Sequence, residues 1–112
     1  MTTIETGAVL VVLNVAPELE GAVVDWLLER VGRTGFTSFP VSGHSTSHEH
    51  LTVAEQVSGR QHRLQFQVQI GADVLEKFLN DASDTLGGTG IRYWVLPVTQ
   101  SGHLGDINVK DK

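Results

Sequence analysis

The chain contains no cysteine among its 112 residues. This absence excludes disulfide bridges, thiolate metal ligands and cysteine nucleophiles, and it fits a reducing compartment. Basic residues are also few, with 8 Lys and Arg against 13 Asp and Glu and a net charge of -5. Because attachment to a phosphate backbone needs clustered basic side chains, this balance argues against nucleic-acid binding.

Long apolar runs are also missing from the sequence. The longest, residues 8–13, is far shorter than the roughly 20 residues that cross a bilayer, so it predicts a buried strand. The first five residues lack the basic start and the cleavage site of a signal peptide. We therefore expect a cytoplasmic protein of one domain that is not inserted in a membrane.

Hydrophobic periodicity predicts the order β-α-β, a polar excursion, and then β-α-β. Apolar residues at three- and four-residue steps predict a helix that begins at Pro17 and stops at Gly32 and Gly35. A second helix, led by Asp73, should end before Gly87. The predicted strands are 8–15, 36–41, 64–70 and 91–98.

This order predicts an α+β, ferredoxin-like βαββαβ sandwich, in which two helices cover one face of a four-stranded antiparallel sheet. Pro40 and Pro97 predict that their strands lie at the edges, because proline cannot donate to a sheet ladder. The other face should carry Gln65, Gln67 and Gln69 or their apolar neighbours. Either a homo-oligomer covers that face, or the protein is a monomer with a solvated sheet face.

The polar excursion, 42–60, contains a group of histidines. In an extended segment His48 and His50 would point the same way, and imidazole is a ligand for zinc, copper or nickel. His44 and Glu49 could add ligands, and a histidine of a neighbouring subunit or His62 could complete the site. The alternative is that these exposed loop histidines bind nothing specific.

Motifs of several common activities are absent from the sequence. Neither HExxH nor GxSxG occurs, and no nucleophile and base are paired in a recognisable pattern, so we expect no enzyme. The third strand alternates glutamine with apolar residues, unlike an RNA-recognition motif, and a heavy-metal metallochaperone would need CxxC.

A glycine-rich turn precedes the last strand. It contains Gly87, Gly88 and Gly90 and is followed by Arg92. Such a turn can direct backbone N–H groups at a phosphate, with an arginine as a charge-matched donor. The alternative, common for an isolated glycine cluster, is a helix stop followed by a tight turn.

Two segments resemble the PII-type signal-transduction proteins. GFTSFPVSGH, residues 35–44, resembles the strand and glycine before the PII T-loop, and GIRYWVLPV, residues 90–98, resembles the PII B-loop and its following strand. With VDWLLE and HEHLTVAEQVSGR, these segments are similar to a small PII-like branch that is often encoded beside heavy-metal efflux pumps. CutA-like proteins are neighbours in fold.

The resemblance implies a homotrimer whose subunit clefts bind ligands and whose T-loop reports ligand state to a membrane transporter. It implies a domain at 7–99, with the excursion as T-loop, and a tail at 100–112. By resemblance, Thr37 lies near an adenine site, Gly43 opens the T-loop, and Arg92 with the three B-loop glycines binds phosphate.

The sequence therefore predicts a non-enzymatic, trimeric PII-like regulator whose histidine-bearing loop senses a transition metal, in the setting of heavy-metal efflux. The alternative function is a PII-like sensor of ATP, ADP or AMP in the intersubunit clefts. A third is a structural adaptor whose loop only docks a partner.

Overall fold

The computed structural model describes residues 7–44, 52–58 and 60–107. Seven main elements follow one another along the chain. They are β1 (Ala8–Val15), α1 (Glu20–Val31), β2 (Thr37–Gly43), α2 (Val53–Ser58), β3 (Gln61–Gly71), α3 (Leu75–Leu86) and β4 (Arg92–Val98). Short 3-10 turns precede α1 and α3, follow α1, and occur at Leu104–Asp106.

The four strands form one antiparallel sheet in the order β2-β3-β1-β4. The strands that contain Pro40 and Pro97 are the two edges, as their prolines predicted, because a missing N–H is harmless only where no neighbouring strand needs it. The predicted α+β, ferredoxin-like fold is confirmed. No helix among the described residues is long and apolar enough to cross a membrane.

Helix α1 packs on the sheet through one apolar stripe. Pro17 begins the preceding 3-10 turn, where it needs no hydrogen-bond partner, and the three- and four-residue spacing buries Val23, Trp26 and Leu27. Gly32 ends the helix with a φ of 51°, a backbone conformation that a side chain disfavours. The predicted face and stop are therefore both present.

The core lies between the helices and one face of the two central strands. The register pairs Val11 with Val68 and Leu13 with Phe66, so these four side chains point to the same side of the sheet. Leu27 and Phe66 are fully buried there. Each such side chain contributes about 1.5–3 kcal/mol when it is removed from water, so this layer holds the sandwich together.

The opposite face of the sheet, away from α1 and α3, is called the open face below. Gln65, Gln67 and Gln69 lie on it, because their neighbours in β3 point into the core. Trp94 and Leu96 are also on this face and keep 36% and 45% of their surface exposed. The open face thus mixes amides with large apolar side chains.

The sheet extends further into the polar excursion than the sequence predicted. β2 begins at Thr37 and continues to Gly43, and β3 begins at Gln61, because polar residues pair by backbone hydrogen bonds as well as apolar ones do. The helix α2 lies within the predicted excursion as well. Residues 42, 43 and 53–58 of the predicted excursion, 42–60, therefore have regular structure.

Candidate functional site

The residues predicted to bind nucleotide lie at two opposite edges of the sheet. Thr37 and Gly43 are the first and last residues of β2, whereas Arg92 is the first residue of β4. Three strand spacings separate these edges, about 14 Å. One chain therefore does not bring the two groups together, and only contact between chains could do so.

The glycine-rich turn is built as a helix stop. The N–H of Gly87 donates to the carbonyl of Ser83 (2.9 Å), and the Thr89 hydroxyl donates to the carbonyl of Leu86 (2.5 Å). Gly88 and Gly90 have φ values of 83° and 78°, which favour glycine. The turn thus has the geometry of the structural alternative, and its phosphate-binding role stays a prediction.

The predicted metal ligands His48, Glu49 and His50 lie outside the described residues. His44 is exposed and directly follows Gly43 at the end of β2. The register pairs Ser42 with His62, and His44 lies two residues beyond Ser42, just past the last paired residue of β2. Over 7–44, 52–58 and 60–107, no three acidic or histidine side chains are grouped closely enough to hold a metal ion. The metal site therefore stays a prediction.

A polar contact that the sequence analysis did not predict joins β3 to β1 on the open face. Arg63 Nε donates to Asn14 Oδ1 (2.8 Å), and Arg63 Nη2 donates to the carbonyl oxygen of Asn14 (3.0 Å). These bonds fix the plane of the guanidinium and use two of its five N–H groups, which leaves three as donors. They also explain why Asn14 interrupts an apolar strand.

A second arginine lies beside this contact. Arg92, in β4, is the register partner of Asn14 on the edge of β1 that faces away from β3, and it is exposed. Arg63, Asn14 and Arg92 are called the arginine cluster below. Within the described part of the chain, no carboxylate forms an ion pair with either arginine. Two guanidinium groups without a counter-charge are suited to hold a phosphate or carboxylate.

The helix α2 is anchored directly beside the cluster. Thr52 and Glu55 form a capping box, in which the Thr52 N–H donates to Glu55 Oε1 (3.0 Å) and the Glu55 N–H donates to Thr52 Oγ1 (3.1 Å). Glu55 Oε2 also accepts the backbone N–H of His62 (2.8 Å), the residue before Arg63. Helix α2 and the arginine cluster are therefore attached to neighbouring residues of β3.

The charge of Glu55 supports this anchor. Hydrogen bonds from the backbone of Thr52, and then of His62, lower the pKa of Glu55, although burial acts in the opposite direction. A carboxylate whose pKa is lowered by folding stabilises the folded state fully at any pH above its ordinary pKa. This stabilisation is lost only as the pH falls through the lowered pKa. The anchor is therefore complete at neutral pH.

Comparison with known proteins supports the fold. The model of a family described as "Protein of unknown function (DUF3240)" matches residues 5–105. No curated protein matches the chain. The crystal structure of a DUF3240 family protein from Shewanella baltica OS155 is similar, with a TM-score of 0.71 and 22% identity over 89% of this chain and 99% of that one.

A PII protein is also similar in structure. Arabidopsis thaliana PII bound to citrate superposes with a TM-score of 0.64 and 17% identity over 90% of this chain and 86% of that one. Identities this low concern the fold alone, so the predicted PII-like fold is confirmed. The predicted link to heavy-metal efflux and the relation to CutA-like proteins stay predictions.

Proposed function

The chain belongs to the DUF3240 family, and from that premise we propose that it is a non-enzymatic PII-like regulator that binds a small anion at the arginine cluster. The observation that carries the proposal is Arg63, held by Asn14 beside Arg92 with no carboxylate partner in the described part of the chain. The two positive charges repel each other, and an anion bound between them would offset that repulsion.

The ligand is an organic anion that presents phosphate or carboxylate oxygens. Both groups accept paired N–H bonds from a guanidinium, so ATP, ADP and AMP are candidates beside a tricarboxylate such as the citrate of the Arabidopsis protein. Gly87, Gly88 and Gly90 precede Arg92 in the chain and would line a nucleotide's phosphates. Thr37 and Gly43 would have to come from another chain.

A homotrimer supplies that second chain. The open face carries Leu10, Trp94 and Leu96 in partly exposed positions, which is more apolar surface than a solvated sheet needs. Three chains that pack their open faces together would cover this surface. The same packing would bring β2 of one chain towards β4 of the next and complete the cleft.

A change in ligand occupancy would be transmitted to the loop through β3. Arg63 adjoins His62, whose N–H is bonded to Glu55 at the base of α2, so a shift of Arg63 towards an anion acts on the segment 42–60. That segment would present the ligand state to a partner, for which we propose a membrane transporter. The setting would be cytoplasmic.

Replacing Arg63 with glutamine tests the anion site. Hydrogen bonds to a charged group contribute about 1.5–3 kcal/mol, so the affinity for the bound anion should fall by roughly 10- to 100-fold. Calorimetric titration of the purified protein with ATP, ADP, AMP and citrate measures this. Arg33→Gln removes the same charge from the 3-10 turn after α1 and should change nothing. Equal affinity in the two variants, or no binding by the unsubstituted protein, would contradict the proposal.

A second candidate function is sensing of a transition metal by the histidine-bearing loop, in the setting of heavy-metal efflux. The favouring observation is that His62 pairs with Ser42 at the end of β2, two residues before His44, so both histidines lie where the loop begins and ends. With His48, His50 and Glu49 they would offer zinc, copper or nickel up to four imidazoles and a carboxylate.

Replacing His44, His48 and His50 together with alanine should abolish saturable zinc, copper or nickel binding. Because only the neutral imidazole is a ligand, binding by the unsubstituted protein should also weaken as the pH falls below about 6.5. His103→Ala, in the tail, is the control. Affinity that stays flat from about pH 8 to pH 5 would count against this function.

A further inference from the structure

A cavity of about 370 Å³ lies on the helix side of the sheet, away from the arginine cluster. It is bounded by the end of α1, the end of β3 and the first half of α3. The residues that line it include Arg30, Val31, Ile70, Val74, Lys77 and Phe78. Its volume is within the range of small-molecule sites, about 300–1,000 Å³.

The floor of this cavity is apolar and open to solvent. Val74 lines the cavity and keeps 46% of its surface exposed. Ile70 and Val31 continue this surface inward to Phe78, which is 8% exposed. An apolar group placed against Val74 would remove this surface from water, which contributes roughly 25 cal/mol per Å².

The rim of the cavity carries a surplus of positive charge. Lys77 pairs with Asp81 (2.9 Å), and Arg30 forms an ion pair with Glu29 (3.3 Å), a carboxylate that is 75% exposed. The hydrogen bond from Lys77 lowers the pKa of Asp81, and the charges of Lys77 and Arg30 lower it further. An exposed pair such as Arg30 with Glu29 is weak, so a ligand can replace Glu29.

We propose that this cavity binds a small carboxylic acid with an apolar body, whose carboxylate pairs with Arg30 and whose body covers Val74 and Phe78. The site goes beyond the proposed regulatory site, because Arg63 and Arg92 are on the other face of the sheet. A neutral molecule of the same shape would lack the pairing with Arg30, and a strongly hydrated polyanion would gain little from the floor.

Trp26 lies directly behind the wall of the cavity. Arg30 is placed over its ring, with the guanidinium carbon 4.5 Å from the ring centroid, and Phe78 meets it edge-on at 5.1 Å between centroids. The buried indole N–H of Trp26 has no hydrogen-bond acceptor among the described residues. Any change at Arg30 or Phe78 should therefore alter the environment of this N–H.

The indole N–H signal of Trp26 in nitrogen-15 NMR spectra of the full chain gives the test. The only other tryptophan is Trp94, and Trp94→Phe assigns the two signals. Titration with phenylacetate should shift the Trp26 signal saturably, whereas the neutral phenylacetamide should bind at least tenfold more weakly. Arg30→Gln should weaken phenylacetate binding about tenfold, and Arg33→Gln, just outside the cavity, should leave it unchanged.

Three results would overturn the proposal. They are no saturable shift of the Trp26 signal, equal shifts with acid and amide, and equal affinity in Arg30→Gln and Arg33→Gln. Lys77→Gln, at a side chain that is 79% exposed, gives a second variant if Arg30→Gln does not fold, and it should also weaken phenylacetate binding. Arg63→Gln should retain it, which separates this site from the arginine cluster.

Discussion

Replacing Leu27 with alanine is expected to lower the free energy of unfolding by about 2–5 kcal/mol. Leu27 is fully buried between α1 and the sheet, where it belongs to the same cluster as Val11 and Phe66. The loss combines the transfer of the removed carbons to water with the cavity that they leave behind. Domains of this size are stable by about 5–15 kcal/mol, so a large fraction of the stability is at stake.

Leu28→Ala is the matched control, because it makes the same change one residue further along the same helix. Leu28 keeps 57% of its surface exposed, so its replacement should cost well under half as much. Urea unfolding followed by circular dichroism measures both variants, and the slope of the transition should not change. Similar losses at the two positions would mean that α1 does not pack on the sheet through the stripe described above.

Helices α1 and α3 and the strand order were predictable because each depends on residues close together in the sequence. The spacing of Val23, Trp26 and Leu27 assigns the buried face of α1 without any knowledge of its partner. Pro40 and Pro97 assign the edges, since a proline is excluded from the centre of a sheet whatever surrounds it. Together with right-handed crossovers, these local facts leave few arrangements of four strands.

The limits of the strands and the presence of α2 were less predictable. Gly43 and Gln61 pair through backbone groups that every sequence has, so their side chains give no strand pattern. The six-residue α2 is too short for a periodic hydrophobic pattern, and only the capping box of Thr52 and Glu55 indicates a helix there. Both features place regular structure inside the predicted excursion.

The arginine cluster was missed because its members are far apart in the chain. Arg63 and Asn14 are separated by 49 positions, and their contact depends on the register between β3 and β1. The one local signal was a polar residue in an otherwise apolar strand, which indicates a contact without naming the partner. Arg92 was predicted to bind an anion through the glycine turn, whereas its neighbour across the strands is Asn14.

Replacing Leu96 with glutamate is expected to convert the proposed homotrimer to single chains. Leu96 pairs with Leu10 on the open face and keeps 45% of its surface exposed within one chain. A carboxylate at this position stays solvated in the isolated chain, so the fold should lose about 1 kcal/mol or less. In a trimer the same carboxylates would be buried without partners, and burying an unpaired charge destabilises the assembly by far more than that. Light scattering measures the mass in solution.

The same substitution on the helix side separates assembly from folding. Leu28→Glu adds an identical charge at an exposed residue of α1, so a trimer built on the open face should keep its mass. If nucleotides or citrate need a cleft between chains, Leu96→Glu should lose their binding, whereas phenylacetate binding in the cavity beside Arg30 should survive, because that cavity is complete within one chain. Single chains in the unsubstituted protein would contradict the homotrimer itself. A trimer that persists in Leu96→Glu would show that the subunits do not meet at the open face.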